Sequence, residues 1–110
     1  FINPIAMLGD QMTKFTTEIG FKGLQNPDEV GAAAVDYLRV AGHLVFGYLF
    51  ARMAQVALRE IAAGNTDPFY GAKLQTARFY FAKLFPETAT LMRTARAGSK
   101  VLMDTDLALA

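Results

Sequence analysis

The chain has 110 residues, 53% hydrophobic and 19% charged; this is enough apolar surface to offset chain entropy in one small domain, which excludes a disordered tract. Eleven basic residues against ten acidic leave a net charge of +1, and the cations are scattered from Lys14 to Lys100, so no basic stripe points to nucleic acid. The absence of cysteine and a lone histidine, His43, exclude disulfide scaffolds, thiolate zinc sites, cysteine nucleophiles and histidine-based metal clusters.

Phe1 stands where an initiator Met would be, which predicts a fragment cut from a longer chain. No basic segment followed by an apolar run and a cleavage site opens it, so a signal peptide is not expected. Ile5, Leu8, Met12, Phe15 and Ile19 recur three or four residues apart and predict the first helix. Asp10, Lys14 and Glu18 take another face at steps of four, where opposite charges pair weakly. Asn3-Pro4 reads as a cap and first-turn proline, and Gly20 and Gly23 are expected to end the helix.

Asn26-Pro27-Asp28-Glu29 starts the second helix. Asn26 caps, Pro27 suits the first turn, and Glu29 is placed to reach back to the cap. The pattern runs to about Ala63, where Gly64-Asn65 closes it; a helix this long invites a bend near Gly42 or Gly47. At 100° per residue, Asp36, Arg39 and His43 fall within about 60° of one another, with Arg52 and Arg59 roughly opposite. No single polar face survives, which predicts a helix wrapped by protein along its middle. Residues 40–51 are uncharged, but a bilayer span needs about 20 such residues, so a buried core helix is the expectation.

Asp67-Pro68 opens the third helix by the same logic. Tyr70, Leu74, Ala77, Phe81 and Leu84 form its apolar stripe, and Pro86 breaks or kinks it. A fourth segment runs from about Glu87 to Ala97, Gly98 interrupts it, and a short helical tail follows from Ser99 to about Asp104. The chain thus reads as a single helical domain over residues 1–110: all-α, an up-down bundle of three to four helices with short loops.

No catalytic constellation emerges. His43 has no nucleophile near it in sequence, so a packing histidine is the better reading than a general base. The carboxylates show no ligand spacing for a di-metal site, and Gly42-His-Leu-Val-Phe-Gly47 lacks the strand and glycine pattern of a phosphate loop. Gly42, Gly47 and several alanines thin the second helix, which suits close helix packing. The candidate interface is Arg78, Phe79, Tyr80 and His43. Arg78 contacts a partner's anion, or pairs within the domain with Asp36, Glu29 or Glu87. Phe79, Tyr80 and Phe81 cannot all face one core, because consecutive helical positions point about 100° apart. Phe81 belongs to the core stripe, so one of Phe79 and Tyr80 is expected at the surface beside Arg78, a composition typical of interfaces.

Tyr37-Leu-Arg-x-x-Gly42, then Lys73-x-x-Thr-Ala-Arg-Phe-Tyr80, then Leu84-x-Pro86, in that order and spacing, resembles the extra C-terminal helical domain of one branch of the acyl-CoA dehydrogenases. That branch includes enzymes similar to methylthiopropionyl-CoA dehydrogenase. The resemblance covers roughly residues 5–104; where the family pattern has Leu-Pro, this chain has Phe85-Pro86. It implies a parent enzyme that uses FAD to take two hydrogens from the α and β carbons of an acyl-CoA. It maps no catalytic, metal-binding or cofactor-binding residue onto this segment. By the resemblance, the partners are the remainder of the parent dehydrogenase and a second subunit, in a homo-oligomer. The domain would support assembly or shape the acyl-CoA entrance; the absence of cysteine fits a cytoplasmic protein. The alternative is a free-standing helical protein-interaction module. Peripheral membrane attachment fits poorly, since the first helix has one lysine beside two acids.

Overall fold

The structure, a computed structural model, describes residues 2–103. Helix α1 (Ile2–Gln25) turns through Asn26-Pro27 into the central helix α2 (Asp28–Ala62). Helix α3 (Pro68–Phe79), a π-helical turn (Tyr80–Leu84), α4 (Glu87–Ala95) and the short α5 (Lys100–Met103) then return along α2. Their direction is fixed by contacts that descend α2 as the chain ascends: Tyr80 meets His43, Thr94 meets Asp36 and Ser99 meets Glu29. No strand occurs among the described residues. The architecture is the all-α, up-down bundle that the periodicity predicts; the expected end of the tail at Asp104 lies outside the described residues.

The helix starts follow the local chemistry. The Asp67 carboxylate accepts a hydrogen bond from the Phe69 N–H at 3.0 Å, with Pro68 in the first turn. The Asn26 side chain accepts from the Asp28 N–H at 3.1 Å. Gly64, at φ +91°, takes the left-handed conformation that closes α2. Glu29 does not reach back to its cap; it accepts instead from the Ser99 hydroxyl at 2.7 Å.

The expected glycine stop in α1 needs correction. Gly20 and Gly23 do not end α1, which continues to Gln25. A Cβ on Gly23 would stand 2.6 Å from Val30 Cγ2, so the missing side chain lets α1 close on α2. Helix α2 is likewise continuous through Gly42 and Gly47. A Cβ on Gly47 would meet the Phe85 ring at 3.1 Å, so this glycine also serves close packing.

Leu8, Met12 and Phe15 from α1, Val40 from α2, and Tyr80, Phe85 and Met92 from the returning limb form the main core. Phe15 and Val40 are its largest fully buried side chains, each contributing roughly 1.5–3 kcal/mol by leaving water. A second, smaller cluster joins α3 to the C-terminal half of α2 through Ala54, Ala57, Leu74 and Ala77. The Cα trace measures 66 × 30 × 14 Å. One helix with side chains is about 10–12 Å across, so a slab this thin leaves part of α2 uncovered.

Candidate interaction surface

Arg78, Phe79 and Tyr80 sit where α3 passes into the π turn. The Phe85 N–H donates to the Tyr80 carbonyl at 2.8 Å, an i to i+5 bond that inserts one extra residue into the turn. The extra residue shifts the helical phase just before Pro86. Leu84, placed on the core stripe by 3.6-residue spacing, is instead exposed, while Tyr80 and Phe85 are buried.

Tyr80 is therefore internal, at 4% exposure. Its ring stacks on Phe50 with centroids 4.5 Å apart, and Phe81 meets it edge-on at 5.4 Å. Its hydroxyl lies 2.9 Å from His43 Nδ1 and 3.1 Å from the His43 carbonyl oxygen. On the far side of the ring, His43 Nε2 donates to Glu87 at 2.9 Å. Arg39 Nε reaches the other Glu87 oxygen at 2.7 Å.

This cluster satisfies itself in either protonation state of the imidazole. The Glu87 carboxylate only accepts, so Nε2 carries a proton. In the neutral ring, Nδ1 accepts from the Tyr80 hydroxyl. In the doubly protonated ring, Nδ1 donates to the Tyr80 oxygen, and the Tyr80 hydroxyl donates to the His43 carbonyl. The hydrogen bond from His43, with support from Arg39, holds the Glu87 carboxyl below its usual range against the opposing effect of desolvation. Burial, and then the negative Glu87, push the Tyr80 phenol up.

Further polar contacts extend the seam between α2 and the returning limb. Thr94 donates to Asp36 at 2.9 Å. The Ser99 hydroxyl and N–H both donate to Glu29, and the hydroxyl is the first cause of the lowered Glu29 pKa. The three residues that helical phase grouped on α2, Asp36, Arg39 and His43, are thus brought together on the face toward α4. Their work is to fix the register between helices. A groove of about 440 Å³ lies between α1 and α2, lined by Ile19, Val30, Ala33, Tyr37 and Leu38, and His43 does not border it. Among the described residues no cluster of potential metal ligands occurs.

Of the four candidate interface residues, the structure leaves Arg78 and Phe79 at the surface. Phe79 is 57% exposed. Arg78 forms no salt bridge among the described residues, and Asp36, Glu29 and Glu87 are engaged elsewhere. Of Phe79 and Tyr80 it is thus Phe79 that lies at the surface, as expected of one of the pair, and His43 is the packing histidine, bonded to Tyr80 and Glu87; neither His43 nor Tyr80 is placed to form an exposed interface.

A larger exposed surface went unread in the sequence. On the outer face of α2, Val35, Leu38, Val45, Phe46, Leu49 and Val56 are all exposed, from 79% at Val35 to 43% at Val56. Their signal was the alternation of steps of three and four through residues 35, 38, 42, 45 and 49. It was masked because α2 is apolar almost all the way round. The expectation of a buried core helix is therefore half met: α2 is central, yet it shows an open apolar face. By length and composition α2 also suffices to cross a membrane, although Arg39, His43 and Asp36 commit one side of it to α4.

The family model described as "Acetyl-CoA dehydrogenase C-terminal like" matches residues 1–106. No curated protein and no solved structure matches the chain. Because the match spans nearly all of the sequence, the chain belongs to that family.

Proposed function

We propose that this chain is the C-terminal accessory domain of an FAD-dependent acyl-CoA dehydrogenase, and that it serves assembly or the shape of the substrate entrance without taking part in the chemistry. The observation that carries this reading is the family match over residues 1–106. The methylthiopropionyl-CoA dehydrogenase-like branch is the finer assignment, resting on the Lys73-to-Tyr80 and Leu84-to-Pro86 motifs. In this reading FAD and the acyl-CoA belong to the parent enzyme, in the cytoplasm. The domain presents Arg78 and Phe79 to the remainder of that enzyme or to a second subunit. An exposed aromatic beside a guanidinium that has no salt bridge among the described residues is the composition that anchors interfaces.

Arg78→Ala combined with Phe79→Ala in the complete gene product tests this contact. Loss of one such anchor typically costs about 1–2 kcal/mol or more. The double variant is expected to weaken assembly or raise KM about tenfold or more, with the flavin still bound. Unchanged assembly together with unchanged kinetics would contradict the contact. The alternative reading, a free-standing helical interaction module, is favoured by the open apolar face of α2. It predicts a colourless gene product that captures a helical partner.

A further inference from the structure

The cations are scattered along the sequence, but the carboxylates are not. From Tyr37 to Arg59 and from Pro68 to Pro86 the chain carries Arg39, Arg52, Arg59, Lys73, Arg78 and Lys83 and not one acid. These stretches are most of α2 and the whole of α3 with its π turn, which pack on each other. Arg39 is answered by Glu87; the others form no salt bridge among the described residues.

Two of these cations, Arg52 and Lys73, border one cavity. It measures about 450 Å³ and lies between α2 and α3, with Met53, Val56, Phe69 and Tyr70 on its walls. None of the residues that line it is acidic. Each cation is laid against an aromatic ring. Lys73 Nζ is 5.1 Å from the Phe69 centroid, and Arg52 Cζ is 6.0 Å from that of Tyr48. The ring quadrupole attracts a cation over its face, which holds both side chains at the cavity wall. Arg52 also donates to the Tyr48 hydroxyl at 3.3 Å, and a guanidinium has further donors to offer. The acids nearest in sequence are engaged at the turn between the helices: Glu60 accepts from Asn65 at 3.3 Å, and Asp67 caps α3.

An apolar concavity of this size with a few convergent polar groups has the form of a small-molecule site. Here the two charged groups are both positive. The ligand they complement has an apolar body, which displaces water from Met53 and Val56, and an anionic head, which answers Arg52 and Lys73. A neutral apolar ligand would leave both cations without a counter-charge, and a small polar anion would leave the apolar walls wet.

We propose that the cavity between α2 and α3 binds a single-chain anionic amphiphile, a carboxylate or phosphate on an apolar chain. Arg52 and Lys73 hold the head, and Met53, Val56 and Phe69 line the chain. The proposal goes beyond the dehydrogenase reading. Its test uses neither flavin reduction nor turnover, so the two can fail separately.

The test is photolabelling of the complete gene product with decanoate and decyl phosphate that carry a diazirine on the chain, followed by peptide mapping. Both probes, kept below their micelle concentrations, are expected to label residues 49–57 and 69–73, the segments that line the cavity. Excess plain decanoate or decyl phosphate is expected to suppress that label; decanol and decylammonium are expected to leave it. Arg52→Gln combined with Lys73→Gln removes both charged contacts. It is expected to raise the Kd for the probes at least about tenfold, with the helical circular dichroism intact. No label in the two segments would overturn the proposal, whether the cavity rejects the probes or another part of the gene product already fills it. Undiminished label in the double variant would overturn it as well, and so would equal suppression by decanol, since an apolar groove alone would then suffice. Label taken only from phosphatidylglycerol vesicles that carry a diazirine lipid, and not from the free amphiphiles, would overturn it in favour of a membrane surface. The competition needs no variant, so it decides the question even if the double variant fails to fold.

Discussion

At the scale of single residues, the clearest structural commitment is Tyr80. Its ring fills the core between Phe50, Phe81 and Phe85, and its hydroxyl joins His43. Removing that hydroxyl as Tyr80→Phe leaves the ring in place and is expected to cost about 1 kcal/mol in chemical denaturation. The same variant tests the sign of its titration. A phenol whose pKa is raised by folding stabilises the fold below its unfolded value near 10 and loses that contribution as the pH climbs through the folded value. The wild-type chain is expected to lose stability above about pH 10, and Tyr80→Phe to flatten that limb. Glu87 acts at the other end. Its lowered carboxyl stabilises the fold above the ordinary glutamate pKa of about 4.3, and that contribution fades as the pH falls further. Glu87→Gln is expected to shrink the acid limb; an unchanged pH profile in both variants would show that the cluster has no energetic role. This residue-level network was only partly legible beforehand. Phase arithmetic grouped Asp36, Arg39 and His43, but their partners lie 37 to 58 residues away, a separation that local pattern does not encode.

At the scale of elements, α3 depends on small residues. Ala54, Ala57 and Ala77 are all at or below 1% exposure, with Leu74 beside them. Such a contact is intolerant of added volume. Ala77→Leu is expected to destabilise by about 1–3 kcal/mol. Limited proteolysis between Ala63 and Asp67 should then quicken, because α3 loses its seat on α2. Unchanged cleavage would mean that α3 is held by something other than this cluster. Helix starts at Asp67-Pro68 and Asn26-Pro27 were readable, since capping chemistry is local. The register after Phe79 was not, because the π turn adds a residue to a pattern read with period 3.6. Glycine signals were ambiguous for a related reason. Gly23 and Gly47 carry the usual signal of a helix end or bend, yet here they make room for Val30 and Phe85.

At the scale of the whole molecule, the fold class followed from apolar periodicity, while the shape did not. A helical slab only 14 Å deep in its Cα trace cannot enclose a 35-residue apolar helix. The uncovered face of α2 is the outcome. That surplus of apolar surface is what an accessory domain needs when its role is contact with other protein. Phe79, exposed beside Arg78, adds to that surface. Membership of a flavoenzyme is read from the visible spectrum of the purified complete gene product, together with dye reduction on addition of acyl-CoA. A yellow protein that bleaches with acyl-CoA and passes electrons to the dye is expected, while the 110-residue chain alone is expected to be colourless and inert. A complete product that is colourless and unreactive toward every acyl-CoA tried would contradict it.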